Sequence, residues 1–530
     1  MDDVLVVGAG LGGLVAGALL ANRGFKVAVV ERHYVAGGCA TTFHRKAFKY
    51  EVSLHALDGL DAGDPKLPLF GELGILEHVP FVHVPRAEFF RFRHPDLDVT
   101  IPADFEAAAR VLGNAFPRER KRLHEFFRTL ADIRAGLAGI FLADGLERHL
   151  RLAGVPFRHP RLLRYWNTSI GEYLDQLFDD ELLKLALVSN LLYYNDDPRR
   201  LSLFWYSLAQ GSFFAGGVHF VKGGSQVLSD YLAHFIRRRG GEVLLGQTVE
   251  EILTERGRAV GARYRKTLGT SRPERVRYAR TVIVNAPLPA VVNEMIRAPE
   301  IASYRERVNS LEKSCSFLSL FLGFDRPPAS LGNTAYSTLL AGDDVSKPDD
   351  LVLEFRGKDW SRKGFEFVDY SQVDHGLAAS GKSVGVISLV DYTSNWDLPE
   401  QEYRQQKAYV TDVLLNRLER ALPGARSALE HCEMATPRSI ERFTGNPDGC
   451  IYGFQQTVRQ AVPFRLDHSS PIRDLYFASA WVTPGGGYSG AMLAGMSCAR
   501  AVAHALCGKS AQAGFTRARI SARRENLRIA

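Results

Sequence analysis

Three glycines and one acid carry the strongest chemical signal in the chain. Gly8, Gly10 and Gly13 satisfy G-x-G-x-x-G inside the run VLVVGAGLGGLVAGALLA, and Glu31 follows directly after KVAVV. Each position has a physical reason. Gly8 permits a tight turn, Gly10 lets a pyrophosphate approach the backbone, and Gly13 lets helix and strand pack closely. A helix that begins at the turn offers unpaired N–H groups and a positive dipole end to phosphates. A carboxylate at the end of the next strand accepts hydrogen bonds from ribose hydroxyls. The chemistry implied is dinucleotide binding; the bland alternative is a βαβ unit that has stopped holding any ligand.

That chemistry requires a strand, a helix and a second strand. The same run is also long enough to suggest a transmembrane helix or a secretory signal. Asp2 and Asp3 precede it, where a signal peptide would carry Lys or Arg. Its glycines would weaken a single helix, each by up to about 1 kcal/mol relative to Ala. Val4–Val7 therefore reads as a buried strand, Leu14–Asn22 as the helix ended by Arg23-Gly24, and Lys26–Val30 as the second strand. No other apolar run reads as long enough to cross a bilayer. Further on, Val227–Arg238 has helical periodicity and ends at Gly240-Gly241. Strands are expected at Glu242–Leu245, Thr248–Leu253, Ala259–Arg265 and Arg280–Ala286. Cys315–Phe324 alternates as a strand should, Val384–Val390 is another, and Gln401–Leu422 is an amphipathic helix. The stretch from Leu475 to Leu506 reads as a strand, a Gly-rich loop and a small-residue helix. Gly485, Gly487 and Gly490 satisfy the glycine pattern again, but no second strand and acid follow. A helix N-terminus aimed at the same cofactor is the economical reading.

Composition bounds the rest. A chain of 530 residues is too long for one core, and its 46% apolar and 24% charged residues are those of an ordinary globular protein. The six cysteines are scattered, with no C-x-x-C pair and no metal-ligand spacing, so no metal site is expected. Without a signal peptide they read as reduced thiols of a cytoplasmic protein. The net charge of +7 is uneven: Arg118 to Arg164 holds eleven Arg or Lys against five Asp or Glu. Within it, Ala135 to Trp166 mixes Leu, Ile, Phe and Trp with Arg and His. This is either a helical cap with a solvated basic face or a peripheral membrane contact, spanning residues 118–166. Nucleic acid is not an expected partner, since no nucleic-acid fold motif accompanies the charge. Tyr193, Tyr194, Phe204, Trp205, Tyr206, Phe213, Phe214 and Phe220 cluster in sequence; they are core residues or the wall of a long apolar tunnel.

Taken together, the glycine turn, Glu31, Gly37-Gly38, the Gly223-Gly224 unit, Asn285-Ala286-Pro287 and the C-terminal PGGGYSG resemble the phytoene desaturase superfamily. That group includes phytoene desaturases, carotenoid isomerases and retinol saturases. The resemblance covers essentially the whole chain and implies non-covalently bound FAD. It places Gly8, Gly10 and Gly13 at the pyrophosphate, Glu31 at the adenosine ribose and Val249 at adenine through its backbone, with Gly12 and Arg32 also among the cofactor-binding residues. Gly37-Gly38 and Asn285 would lie along the cofactor, near the flavin end for the paired glycines. Gly487, Tyr488, Ser489 and Ala491 would set a helix N-terminus against the flavin. His55 falls where saturase-like members carry a histidine, and is either a proton donor, given an ordinary pKa near neutrality, or a hydrogen-bonded core residue. Tyr452, in ATPRSIERFTGNPDGCIYGF, is expected near the flavin face or as a packed tyrosine. The chain departs from the family in three places. Cys39 replaces a basic residue, Tyr50-Glu51-Val52-Ser53 replaces Phe-Asp-x-Gly, and Ser479 or Ala480 replaces a glycine.

The expected fold class is α/β: a discontinuous Rossmann-like FAD domain of the glutathione reductase and amine oxidase type, a mixed α+β substrate domain and a helical insert. The segments are 1–90, 221–298 and 471–510 for the cofactor, 91–220 for the insert, 299–470 for substrate and 511–530 for a basic tail. The implied activity is FAD-dependent desaturation, saturation or isomerisation of carbon–carbon bonds in a long hydrophobic polyene. A flavin amine oxidase and a non-enzymatic prenyl- or lipid-binding protein of the same fold are the alternatives. The expected partner is a hydrophobic small molecule, with the electron donor or acceptor left open. The expected location is cytoplasmic, with membrane association as the variant.

Overall fold

The computed structural model describes residues 1–143, 145–269 and 273–508; the expected basic tail at 511–530 lies outside the described residues. Two seven-stranded sheets dominate. The first runs Glu242–Leu244, Val27–Val30, Asp2–Val7 and Arg275–Val284, all parallel, with Leu475–Phe477 parallel on the far side. Arg258–Lys266 and Gln247–Glu255 continue it as an antiparallel meander from the first half of Arg275–Val284. Strands covered on both faces need apolar residues at every position, and Val4–Val7 and Val27–Val30 supply them. Val4, Val6, Val27 and Val29 join one cluster, while Leu5, Val7, Ala28 and Val30 join another on the opposite face. The three cofactor segments expected from the sequence thus meet in one sheet.

The first helix, Leu11–Asn22, is buried nearly all round. It lies between Gln226–Arg238 and the last helix, Gly487–Cys507. That last helix is long and apolar enough, by length and composition, to cross a bilayer, which corrects the expectation that no other run qualifies. Here it is a core element, because small residues let it approach the first helix. A Cβ on Gly495 would stand 2.3 Å from the Gly12 carbonyl oxygen.

The second sheet has the order Leu429–Ala435, Ser316–Phe324, Ser383–Asp391, Phe365–Asp369, Ser337–Leu340, Phe90–His94 and Leu97–Ile101. The last two strands form a hairpin in which Arg91 pairs in parallel with Thr338. The helical region expected to start near residue 91 therefore begins at Phe105, because the hairpin's pairing partner lies in a distant segment. Ser316–Phe324 alternates as expected, yet it has no solvent face. Leu318, Leu320, Leu322 and Phe324 pack with Val410, Leu414 and Leu418 of the helix Glu400–Ala421. Phe317, Ser319 and Phe321 face a cavity instead.

Glu51, buried at 1% exposure, joins the N-terminal and middle cofactor segments. Its Oε1 accepts from the Leu54 N–H at 3.0 Å, the Ser53 N–H at 3.2 Å and the Ser225 hydroxyl at 2.8 Å, and its Oε2 accepts from the Ser225 N–H at 2.7 Å. Burial pushes this carboxyl upward while those donors hold it back. Replacing Glu51 by Gln turns an N–H toward the N–H donors of this carboxylate. The expected cost is about 1–3 kcal/mol, read as a lower thermal midpoint by calorimetry with the fold retained by circular dichroism.

Candidate functional site

The glycine turn has the geometry its spacing predicts. Gly8 holds φ +95°, in the left-handed region. A Cβ on Gly13 would stand 2.2 Å from the Gly8 carbonyl oxygen, and one on Gly12 would stand 1.8 Å from that of Ala478. Gly10 caps the first helix, whose first turn carries neither a side-chain cap nor an acidic residue. Its leading N–H groups thus face the cavity with a positive dipole end. Asn285 reaches across from the end of the strand Arg275–Val284, and its Nδ2 would lie 2.7 Å from a Cβ at Gly10. The paired glycines sit on this turn: Gly37 bridges Gly10, and a Cβ on Gly38 would be 3.2 Å from the Gly10 Cα. They lie against the glycine turn because the loop after the second strand folds directly back.

Glu31 ends the second strand, 9% exposed. It accepts from the Ala9 N–H at 2.6 Å and the His33 N–H at 2.8 Å. These bonds fix the carboxylate at the cavity wall and leave further lone pairs for a ligand. Arg32 also lines the cavity, but its guanidinium donates to the carbonyls of Arg442 and Phe443. Val249 lines the same wall beside an irregularity in the ladder between Val249 and Glu251, where main-chain groups depart from regular pairing.

At the other end of this wall the last helix begins, with Gly487 at φ +61°. Gly487, Tyr488, Ser489 and Ala491 all line the cavity. The Tyr488 hydroxyl bonds the Ser53 hydroxyl at 3.0 Å and the Cys39 carbonyl at 3.2 Å. The Ser489 hydroxyl donates to Asp58, which with Asp64 neutralises the buried Lys66. The sequence reading missed this acid–base–acid group, since its members are ordinary loop residues until the chain brings them under the helix.

The cavity is continuous, about 1480 Å³, and runs from the glycine turn to a chamber beneath the second sheet. Of the clustered aromatics, Tyr193, Tyr194, Trp205 and Phe213 line it. Phe204, Tyr206, Phe214 and Phe220 are core, so both readings of that cluster hold in part. His55 lines the chamber, 7% exposed, with its Nδ1 3.3 Å from the Tyr370 hydroxyl. Burial pushes its pKa down to about 4, so its ring is neutral at pH 7 and holds no imidazolium proton to donate. This corrects the premise that its pKa stays near neutrality. Tyr452 also faces the chamber, its ring 6.3 Å from that of Phe317. The sequence reading missed Glu366, a buried chamber residue whose only signal was an acid inside the apolar run FEFV.

The open helix N-terminus, the Glu31 carboxylate and the left-handed glycines fit a dinucleotide laid along the cavity. Comparison with known proteins agrees. The family described as flavin containing amine oxidoreductase matches residues 11–503. Prolycopene isomerase 1 of an Oncidium hybrid cultivar is 25% identical over 515 residues, covering 94% of this chain and 84% of that protein. The all-trans-retinol 13,14-reductase of Danio rerio is 23% identical, covering 94% and 85%. A 4,4'-diapophytoene desaturase of a Methylomonas species is 24% identical, covering 91% and 92%. Among solved structures, wild-type putrescine oxidase bound to putrescine has a TM-score of 0.62 at 17% identity, covering 95% of this chain and 99% of its own. It shows the shared fold.

Two outcomes follow. Glu31→Ala removes a charged acceptor, so the dinucleotide should bind about tenfold more weakly or worse, read as bound cofactor per chain. For His55, the folded pKa lies below the unfolded value of 6.5. The resulting stability is present above pH 6.5 and is lost as pH falls toward 4. His55→Gln should therefore flatten the acid limb of the thermal midpoint between those pH values, where on the order of 3 kcal/mol is at stake.

Proposed function

Because the chain belongs to the flavin containing amine oxidoreductase family, we propose that it is an FAD-dependent oxidoreductase, with FAD held non-covalently, acting on carbon–carbon bonds of a long hydrophobic polyene. The observation that carries this reading is the single cavity joining the dinucleotide turn to an aromatic chamber. Gly8, Gly10, Gly12 and Gly13 would seat the pyrophosphate, Glu31 the ribose and Val249 the adenine. Gly487 to Ala491 would face the flavin with a helix N-terminus, whose dipole favours negative charge there. When bound, the flavin would supply hydride exchange with carbon. The chain's own part is to align a rod-like ligand between Tyr193, Trp205, Phe213 and Phe317 and to keep water out.

The polyene reading is favoured over an amine by the partners of the chamber's carboxyls. Burial pushes the Glu366 carboxyl up to about 8, and Asp58 and Asp64 both pair with Lys66. None of these three acids is an unpartnered carboxylate for an ammonium group. The relatives named above carry isomerase, reductase and desaturase titles on such polyenes. Flavin-loaded protein should be offered prolycopene, all-trans-retinol, 4,4'-diapophytoene and putrescine. A product lighter by a hydrogen pair means desaturation, a heavier one saturation, and an unchanged mass with altered retention isomerisation. Turnover of putrescine alone would replace this reading with the amine oxidase.

We also propose that the helix Gly145–Arg158 and the segment after it dock on an anionic bilayer. Leu146, Leu150, Phe157 and Trp166 are exposed there beside Arg148, Arg158 and Arg164. Apolar side chains set among cations suit the interface of such a membrane. The protein should sediment with phosphatidylserine-containing vesicles. A Phe157→Ser, Trp166→Ser double variant should stay in the supernatant with its flavin content unchanged; equal sedimentation would refute the docking.

A further inference from the structure

Glu366 is out of place by ordinary rules. It sits in a central strand, opposite Leu339 on one side and Ser388 on the other, and is 2% exposed. A carboxyl so placed requires partners. Its Oε1 accepts from the Ser337 hydroxyl at 2.6 Å, and its Oε2 is bonded to the Tyr193 hydroxyl. All three residues line the chamber. The Tyr193 ring stands 5.8 Å from the His55 ring and 6.5 Å from that of Phe317, which in turn stands 6.3 Å from Tyr452. The carboxyl is thus connected through one phenol to the middle of the ligand space.

We propose that Glu366 and Tyr193 form a two-residue proton relay that gives a proton to, or takes one from, substrate carbon in the chamber. The proposal rests on the polyene reading and adds the proton path to it. In a saturation the Tyr193 Oη–H bond breaks as a C–H bond forms, and the Glu366 carboxyl proton moves to Tyr193 Oη. The hydride for the adjacent carbon would be supplied by reduced flavin when it is bound, the reductant of the proposed reaction, and Glu366 takes its next proton from water. In a desaturation the same path runs backwards. The proton leaves carbon for Tyr193 Oη and passes to ionised Glu366, while the hydride goes to oxidised flavin.

The surroundings suit a proton store. Burial pushes the Glu366 pKa up to about 8, so the carboxyl is poised to gain or lose a proton near neutral pH. The groups facing it are Ser337 and Ser388 from the flanking strands and the phenol of Tyr193. Beyond them, the phenols of Tyr370 and Tyr452 feel the charge of Glu366, and the His55 ring stands beside that of Tyr193. The phenols of Tyr370 and Tyr452 are pushed upward and His55 downward, so among these and Glu366 it is Glu366 that titrates nearest to pH 7. Each hydroxyl can rotate, which lets Tyr193 accept from the carboxyl on one side and donate into the chamber on the other.

The test has two arms on flavin-loaded protein. In the first, infrared difference spectra across pH 6–10 should show a protonated-carboxyl band that titrates near pH 8. The band should be absent in Glu366→Gln and shifted in Tyr193→Phe; a carboxyl ionised throughout overturns the relay. In the second, turnover is measured with whichever polyene of the panel above is accepted. Glu366→Gln and Tyr193→Phe should each lower kcat about 10²-fold or more, with KM and flavin content within about twofold. The wild-type limb near pH 8 should vanish in both. A limb that falls above pH 8 marks the acid direction, and one that rises toward it marks the base direction. Unchanged kcat and pH profile in Glu366→Gln overturn the relay even if the band is present. If no polyene turns over, the polyene reading fails and the relay with it, whereas a missing band removes the relay and leaves the polyene reading intact.

Discussion

Backbone meets backbone at Gly12 and Gly13, and the cofactor domain is arranged around that contact. The Gly13 position closes on the Gly8 carbonyl, the Gly12 position on the Ala478 carbonyl, and Gly495 packs onto the Gly12 carbonyl. These residues come from both ends of the chain, and Asn285 adds the middle. A single Cβ at Gly12 would push the Ala478 carbonyl, just past the last strand, off the first helix. The same closeness leaves the leading N–H groups of the first helix open to the cavity. The contact that assembles three segments therefore also forms the anion seat.

The second sheet solves a different problem. It must cover a large cavity while staying packed on its other face. Ser316–Phe324 does both by placing Leu318, Leu320 and Leu322 against the helix Glu400–Ala421 and Phe317 and Phe321 toward the chamber. The pleat's period of two thus separates a packed layer from a ligand wall. Aromatic side chains suit the wall because they bury much area with few rotatable bonds.

Buried polar groups divide by how they are satisfied. Glu51 gathers amide and hydroxyl donors and works as a joint. Lys66 is balanced by two carboxylates. Glu366 and His55 instead face the ligand space with one or two hydroxyl partners, and burial drives each toward its neutral form. Groups held neutral by burial are the ones that can exchange protons with a ligand there.

The sequence by itself determined the cofactor half. The glycine spacing, the β-branched strands and Glu31 are local signals, and each acts within about thirty residues of the next, where βαβ geometry leaves little freedom. It also marked the helix Gln226–Arg238 and the last helix as parts of the same domain. Tertiary structure alone decided what depends on long-range pairing. The hairpin Phe90–Ile101 reads as the edge of a helical region until Thr338 arrives beside Arg91. Which aromatics of Leu203–Gly216 line the chamber and which fill the core was settled by how that helix packs, since it is buried on nearly every side. The pKa of His55 and the pairing of Glu366 with Tyr193 likewise required the fold, because desolvation is a property of surroundings that no local motif encodes.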